Sequence, residues 1–181
     1  GIITKAGILG MIRVTFYLFN PDFLRGTWAQ LTIIILALAT VFVGSMLAYK
    51  EQLLKKRLAY STVSQVSYVI FGIMILTPQG LSGALLQVIF HAIAKNALFL
   101  AAGAIIYKTG AIYVKDLKGM GKKMPIVMWC FTIASLSLIG IPPTGGFVSK
   151  WDLAVGALSP EFGGVLGYMG PAVLLVSALL T

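Results

Sequence analysis

Long apolar runs joined by short polar turns decide what this chain can fold into. Six such runs occur: Ile2–Phe19, Trp28–Tyr49, Ala59–Leu76, Leu81–Tyr107, Pro125–Leu158 and Gly163–Thr181. A helix that crosses a bilayer needs about 20 mainly apolar residues, so the pattern predicts an all-α, polytopic transmembrane helix bundle of about six spans. Composition excludes a soluble domain. Hydrophobic residues make up 59% and charged residues 10% of the chain, whereas soluble proteins average about 45–50% apolar and about 25% charged.

The fifth run covers 34 positions, too many for one uninterrupted span. Within it, Gly140-Ile141-Pro142-Pro143-Thr144-Gly145-Gly146 supplies a break, because proline removes backbone donors and clashes with the preceding turn, while glycine permits a non-helical path. We expect one span broken near Ile141–Gly146, with Pro142, Pro143, Gly145 and Gly146 forming the break. Broken backbone at membrane depth is tolerated only where it is buried in protein or lines a watery cavity. Periodicity alone leaves open a helical hairpin with GIPPTGG as its turn, which would put Lys150 and Asp152 inside a short, weak span.

Fourteen Lys and Arg against five Asp and Glu leave a net charge of +9. These charges sit between the apolar runs, so they report orientation in a membrane and no nucleic-acid partner is expected. Lys50, Lys55, Lys56 and Arg57 follow the second run, and Lys108, Lys115, Lys118, Lys122 and Lys123 follow the fourth. By the positive-inside rule these nine face the cytoplasm or its equivalent, and Arg25 faces out. Arg13 reads as an interfacial anchor, and Tyr49, Tyr60, Tyr68, Tyr107, Trp129 and Trp151 as an aromatic belt or core packing. A single cysteine, Cys130, and a single histidine, His91, exclude an internal disulfide and make a metal or iron–sulfur centre untenable within this chain. No phosphate-binding or dinucleotide glycine motif and no hydrolytic triad is present. We therefore expect no cofactor, no metal and no catalytic residue here. The chain begins at Gly1 and stops at Thr181 inside apolar runs, so residues 1–181 read as one transmembrane unit cut from a longer protein.

Ionisable side chains at membrane depth cost about 2.5–3.5 kcal/mol each on insertion scales and need a reason. Lys5, His91, Lys95 and Lys150 are the four. His91 and Lys95 stand four residues apart on one helix face, and Gln87 extends that face by another turn, giving a polar track of about 12 Å. Bland readings exist for each: Lys5 near an interface, His91 bonded to a carbonyl, Lys95 in a structural ion pair, Lys150 at an interface. A buried amine loses hydration and so gives up its proton more readily than one in water, which makes three such lysines and a histidine a set of proton stores.

Three stretches, KKRLAYSTVSQVSYVIFGI, FHAIAKNALFLAAGAII and GIPPTGGFVSKWDL, resemble in order and spacing the membrane subunits shared by respiratory complex I, membrane-bound hydrogenases and multisubunit cation/proton antiporters. The resemblance spans most of Gly1–Leu158. It implies the second of two inverted five-helix repeats plus flanking helices, with one broken helix. Lys5 in TKAG then falls on the residue linking the two half-channels, Lys95 on the central lysine, His91 on the histidine before it, and Lys150 on the terminal lysine or glutamate after the break. Where some relatives carry a second histidine, this chain has Gln87, which hydrogen-bonds water but holds no proton.

The expectation is a subunit that moves protons, or exchanges protons for sodium, along Lys5, His91, Lys95 and Lys150. It would lie in a prokaryotic inner membrane rather than a mitochondrial one, among other membrane subunits and the lipid bilayer, with any redox chemistry in other chains. A structural scaffold or a subunit supporting a quinone site remains the alternative at this point.

Overall fold

The computed structural model describes residues 2–160 and 165–180. Every expected run forms helix: α1 (Ile2–Arg13), continued by a π-helical turn over Val14–Leu18; α2, a short turn (Pro21–Leu24); α3 (Trp28–Lys50); α4 (Leu54–Met74); α5 (Pro78–Thr109); α6, another short turn (Met120–Lys123); α7 (Pro125–Ile139); α8 (Gly145–Ala157); and α9 (Val165–Leu180). The start of the sixth run, at Gly163, lies outside the described residues. Helices α3 and α5 are long and apolar enough to cross a membrane.

Capping residues set the ends. The Thr77 hydroxyl accepts from the Gly80 amide to start α5, and Gly110 closes it in the left-handed region at φ 70°, which only glycine adopts cheaply. Helix α4 begins earlier than its apolar run. Leu54 and Leu58 are buried against Ala94, Leu98 and Ala102, while the intervening Lys55 and Lys56 remain exposed and leave their charges in water.

The break is a finding about packing as well as backbone. Along α5, Ala94, Leu98 and Ala102 meet Ala134 and Leu138 of α7. Further along the same helix, a Cβ on Gly145 would run into the Phe90 ring, Gln87 bonds Ser149, and a Cβ on Gly83 would lie 2.8 Å from the Leu153 amide. Helices α7 and α8 therefore lie end to end along one α5, as a single interrupted span does; paired hairpin limbs would pack on each other. The break falls where expected: Gly140 caps α7 in the left-handed region at φ 88°, the non-helical segment is Gly140–Thr144, and Gly145 and Gly146 form the first turn of α8. Gly146 is nonetheless required as glycine, since a Cβ there would overlap the Ser137 carbonyl oxygen.

The two Lys-rich loops are joined. Leu53 and Tyr113 form an antiparallel bridge, with Leu54 N–H donating to Ile112 O at 3.0 Å and Val114 N–H to Gln52 O at 2.9 Å. Their nine basic residues thus gather at one end of the bundle. At the opposite end Arg25 Nη2 donates to Leu76 O at 3.0 Å and Gln30 Nε2 to Met74 O at 2.8 Å, which satisfies carbonyls that the end of α4 leaves free.

Candidate functional site

Helices α4, α5 and α8 meet along a polar seam in an otherwise apolar bundle. Lys95, 5% exposed, donates from Nζ to the Leu58 carbonyl at 2.7 Å and to the Ser61 hydroxyl. Both partners belong to α4, and both are neutral. One turn away on α5, His91 is buried to the same degree. It shares the face of α5 that carries Lys95 and Gln87.

Beyond His91 the seam continues through side chains that carry no proton. Gln87 Nε2 donates to Gln65 Oε1, and the Ser149 hydroxyl donates to Gln87 Oε1, linking α4, α5 and α8. Next to Ser149, Lys150 Nζ donates to the carbonyls of Leu138 and Ile139, each at 2.8 Å. Those are the last residues of α7, where a helix presents unpaired carbonyls and the negative end of its dipole. The ammonium therefore bridges the break from the far side. Asp152, two residues on, accepts from the Ser82 hydroxyl at 3.3 Å. Lys5 sits half-buried on α1, next to a cavity of about 420 Å³ lined by Thr4, Thr62, Ser67 and Phe99.

Two cavities adjoin the ends of the seam. One of about 240 Å³, lined among others by Arg57, Ser61, Val114, Leu117 and Ser135, runs from the Lys-rich end to the hydroxyl that Lys95 holds. Another, of about 260 Å³, lies beside Lys150, with Gly140, Phe147, Trp151 and Pro171 in its wall.

Reading the sequence missed four members of this arrangement: Ser61, Gln65, Tyr68 and Ser149. Tyr68, assigned above to a belt or core, is fully buried; its hydroxyl donates to Leu174 O at 2.9 Å and its ring lies 5.1 Å from Lys150 Nζ, a cation–π geometry. A signal was available. Ser61, Ser64, Gln65 and Tyr68 recur at helical spacing within an apolar run, and that stripe marks a buried polar face. Ser64 faces elsewhere, into a fully buried cluster with Ser45 and Ser177 that ties α4 to α3 and α9.

An interrupted helix packed against a long helix bearing a buried lysine and histidine defines an antiporter-like membrane subunit. The chain belongs to the family described as NADH:quinone oxidoreductase/Mrp antiporter, transmembrane, whose sequence model matches residues 1–169. It is therefore an integral membrane protein. It is 44% identical over 146 residues to NADH-quinone oxidoreductase subunit N of Desulforudis audaxviator, covering 81% of this chain and 28% of that protein. It is 38% identical over 181 residues to a Na(+)/H(+) antiporter subunit of Alkalihalophilus pseudofirmus, covering 100% of this chain and 35% of that one. Among solved structures, a chain of the Mrp complex from a Dietzia species superposes with a TM-score of 0.83 at 32% identity, covering 96% of this chain and 32% of that chain. The chain thus spans about a third of the length of these relatives.

Proposed function

We propose that this chain carries the second half of a proton path, or of a sodium–proton exchange path, in a multisubunit complex of a prokaryotic inner membrane. Lys95 and His91 form the central proton-transfer unit. Lys5 feeds it and Lys150 drains it past the helix break. One observation carries the reading: Lys95 is buried and, among the described residues, is bonded only to neutral oxygen atoms. A cation held that way gains no ion-pair energy to offset its desolvation, so its retention needs a reason other than stability, and a removable proton is such a reason. The cavities at Ser61 and Lys150 leave space beside each end of the seam. Redox chemistry, where the complex has any, belongs to other subunits.

The test is Lys95→Arg in vesicles holding the full-length protein with its partner subunits. Arginine keeps the charge and stays protonated at physiological pH, so ion transport should stop while assembly continues. Transport at the parent rate would show that a permanent charge suffices and would refute the proton-store mechanism.

A further inference from the structure

Two buried polar atoms on the seam have no hydrogen-bond partner among the described residues: Nε2 of Gln65 and Nε2 of His91. Gln65 is 0% and His91 5% exposed. Buried polar atoms in native proteins are seldom left unpaired, and here the two stand on α4 and α5, which pack against each other. The other end of the Gln65 amide is fixed by Gln87 Nε2, and His91 follows Gln87 by one turn on the same face of α5. The free end of Gln65 and the histidine ring therefore flank the same stretch of the α4–α5 interface.

Their chemistry is complementary in both protonation states of the ring. In a neutral imidazole protonated at Nδ1, Nε2 is an acceptor and the Gln65 amide N–H is a donor. When the ring gains a proton, Nε2–H becomes a donor and needs an acceptor. The amide chain can supply one by turning over. The Ser149 hydroxyl has two carbonyl acceptors within reach, Gln87 Oε1 and Gly146 O at 3.0 Å. If it donates to Gly146 O, it is free to accept from a turned Gln87 amide, whose oxygen then accepts from a turned Gln65 amide. The atom that Gln65 offers His91 is now its oxygen.

We propose that Gln65 is a positioning residue that hydrogen-bonds His91 Nε2 through one water, and that the Gln65–Gln87–Ser149 chain reverses its direction when His91 changes protonation state. No proton crosses the amides. What crosses is hydrogen-bond polarity, which ends on the Gly146 carbonyl in the first turn of α8, four residues before Lys150. The histidine thereby signals its state to the broken helix. Among the described residues, the titratable groups around this pair are Lys95 on α5, Lys5 on α1, Lys150 on α8 and Tyr68 of α4 against Lys150, and none of them is a carboxylate.

This inference rests on the proposed transport function, and the test separates the two. In vesicles containing the full-length protein and its partner subunits, Gln65→Leu should slow transport about tenfold, as loss of one hydrogen bond to a proton-carrying group does. Gln65→Glu keeps the shape, and its carboxylate beside the ring should move the pH profile of transport to higher pH by about one unit or more. Because a carboxylate acts on a nearby ring by its charge alone, the deciding profile is that of the uncharged Gln65→Leu, which should move to lower pH as the protonated ring loses its acceptor, and which a merely structural glutamine would leave in place. Parent rates and an unshifted profile in Gln65→Leu, with Lys95→Arg inactive, overturn the inference and leave the transport reading standing. Parent rates in Lys95→Arg overturn the transport reading itself. If Gln65→Leu fails to accumulate, Gln65→Met, uncharged and close in length, decides: a profile moved to lower pH supports the inference and an unmoved one refutes it.

Discussion

Replacing Lys95 with methionine should abolish transport without weakening the protein. Methionine keeps most of the length of the lysine stem and removes the ammonium. The structure sets the size of each contribution. Burying that ammonium costs about 2.5–3.5 kcal/mol at the centre of a membrane helix, and its two hydrogen bonds, each to a charged donor, return about 1.5–3 kcal/mol apiece. The two bonds together exceed the cost by about 1–2 kcal/mol at mid-range. Ordinarily the cost of such a substitution comes from the partners left unpaired, yet here they have other bonds. Leu58 O still accepts from the Ser61 hydroxyl at 3.1 Å and from the Thr62 hydroxyl at 3.0 Å. The expected stability change is therefore within about 2 kcal/mol of zero, as found when buried charges give way to apolar groups of similar volume. Thermal unfolding in detergent, followed by intrinsic fluorescence, would report stability; acidification of vesicles would report transport. A variant that loses well over about 3 kcal/mol, the range seen when a buried pair is broken, would show that Lys95 is a structural element, and one that keeps full transport would refute its role in the path.

Gly146→Ala should prevent assembly, because its methyl group would overlap the Ser137 carbonyl oxygen; yield of folded protein measures this, and normal yield would mean that the break is not packed as described. The paired loops put Lys55 and Lys122 at one end of the bundle, so a membrane-impermeant amine reagent added to one side should label both or neither, and labelling from opposite sides contradicts the topology. The Glu51 carboxyl is held below the usual carboxylate range by the Leu53 amide first, then by Lys56 Nζ at 3.3 Å and the Gln52 amide. Because the folded value is the lower one, this ordering is complete above the unfolded value of about 4.3 and is lost as pH falls through the folded one. Protection of the Leu53 amide, monitored by hydrogen exchange against its intrinsic rate, should fall at that acid limit in the parent and be absent at all pH values in Glu51→Ala.

Periodicity and charge determined a great deal of this protein. Apolar runs too long and too numerous for a soluble core required a helical membrane bundle, and the lysines between them required that two loops share one side. A proline pair within a run of 34 positions required an interrupted helix, since the missing donors and ring clashes are local to those residues, but left a broken span and a hairpin both open. His91 and Lys95 were legible because a charge in hydrocarbon is costly wherever the fold puts it. What surrounds them was decided only by tertiary structure. That Lys150 reaches back twelve residues to Leu138 O, that α7 and α8 share α5 as a common support, and that Tyr68 lies over an ammonium depend on which helix faces meet. Ser61, Gln65 and Ser149 are uncharged, cheap to place in a helix and common there as local bonds to the preceding turn. Their meaning arises only where three helices converge, and helix spacing within one element says nothing about its neighbours.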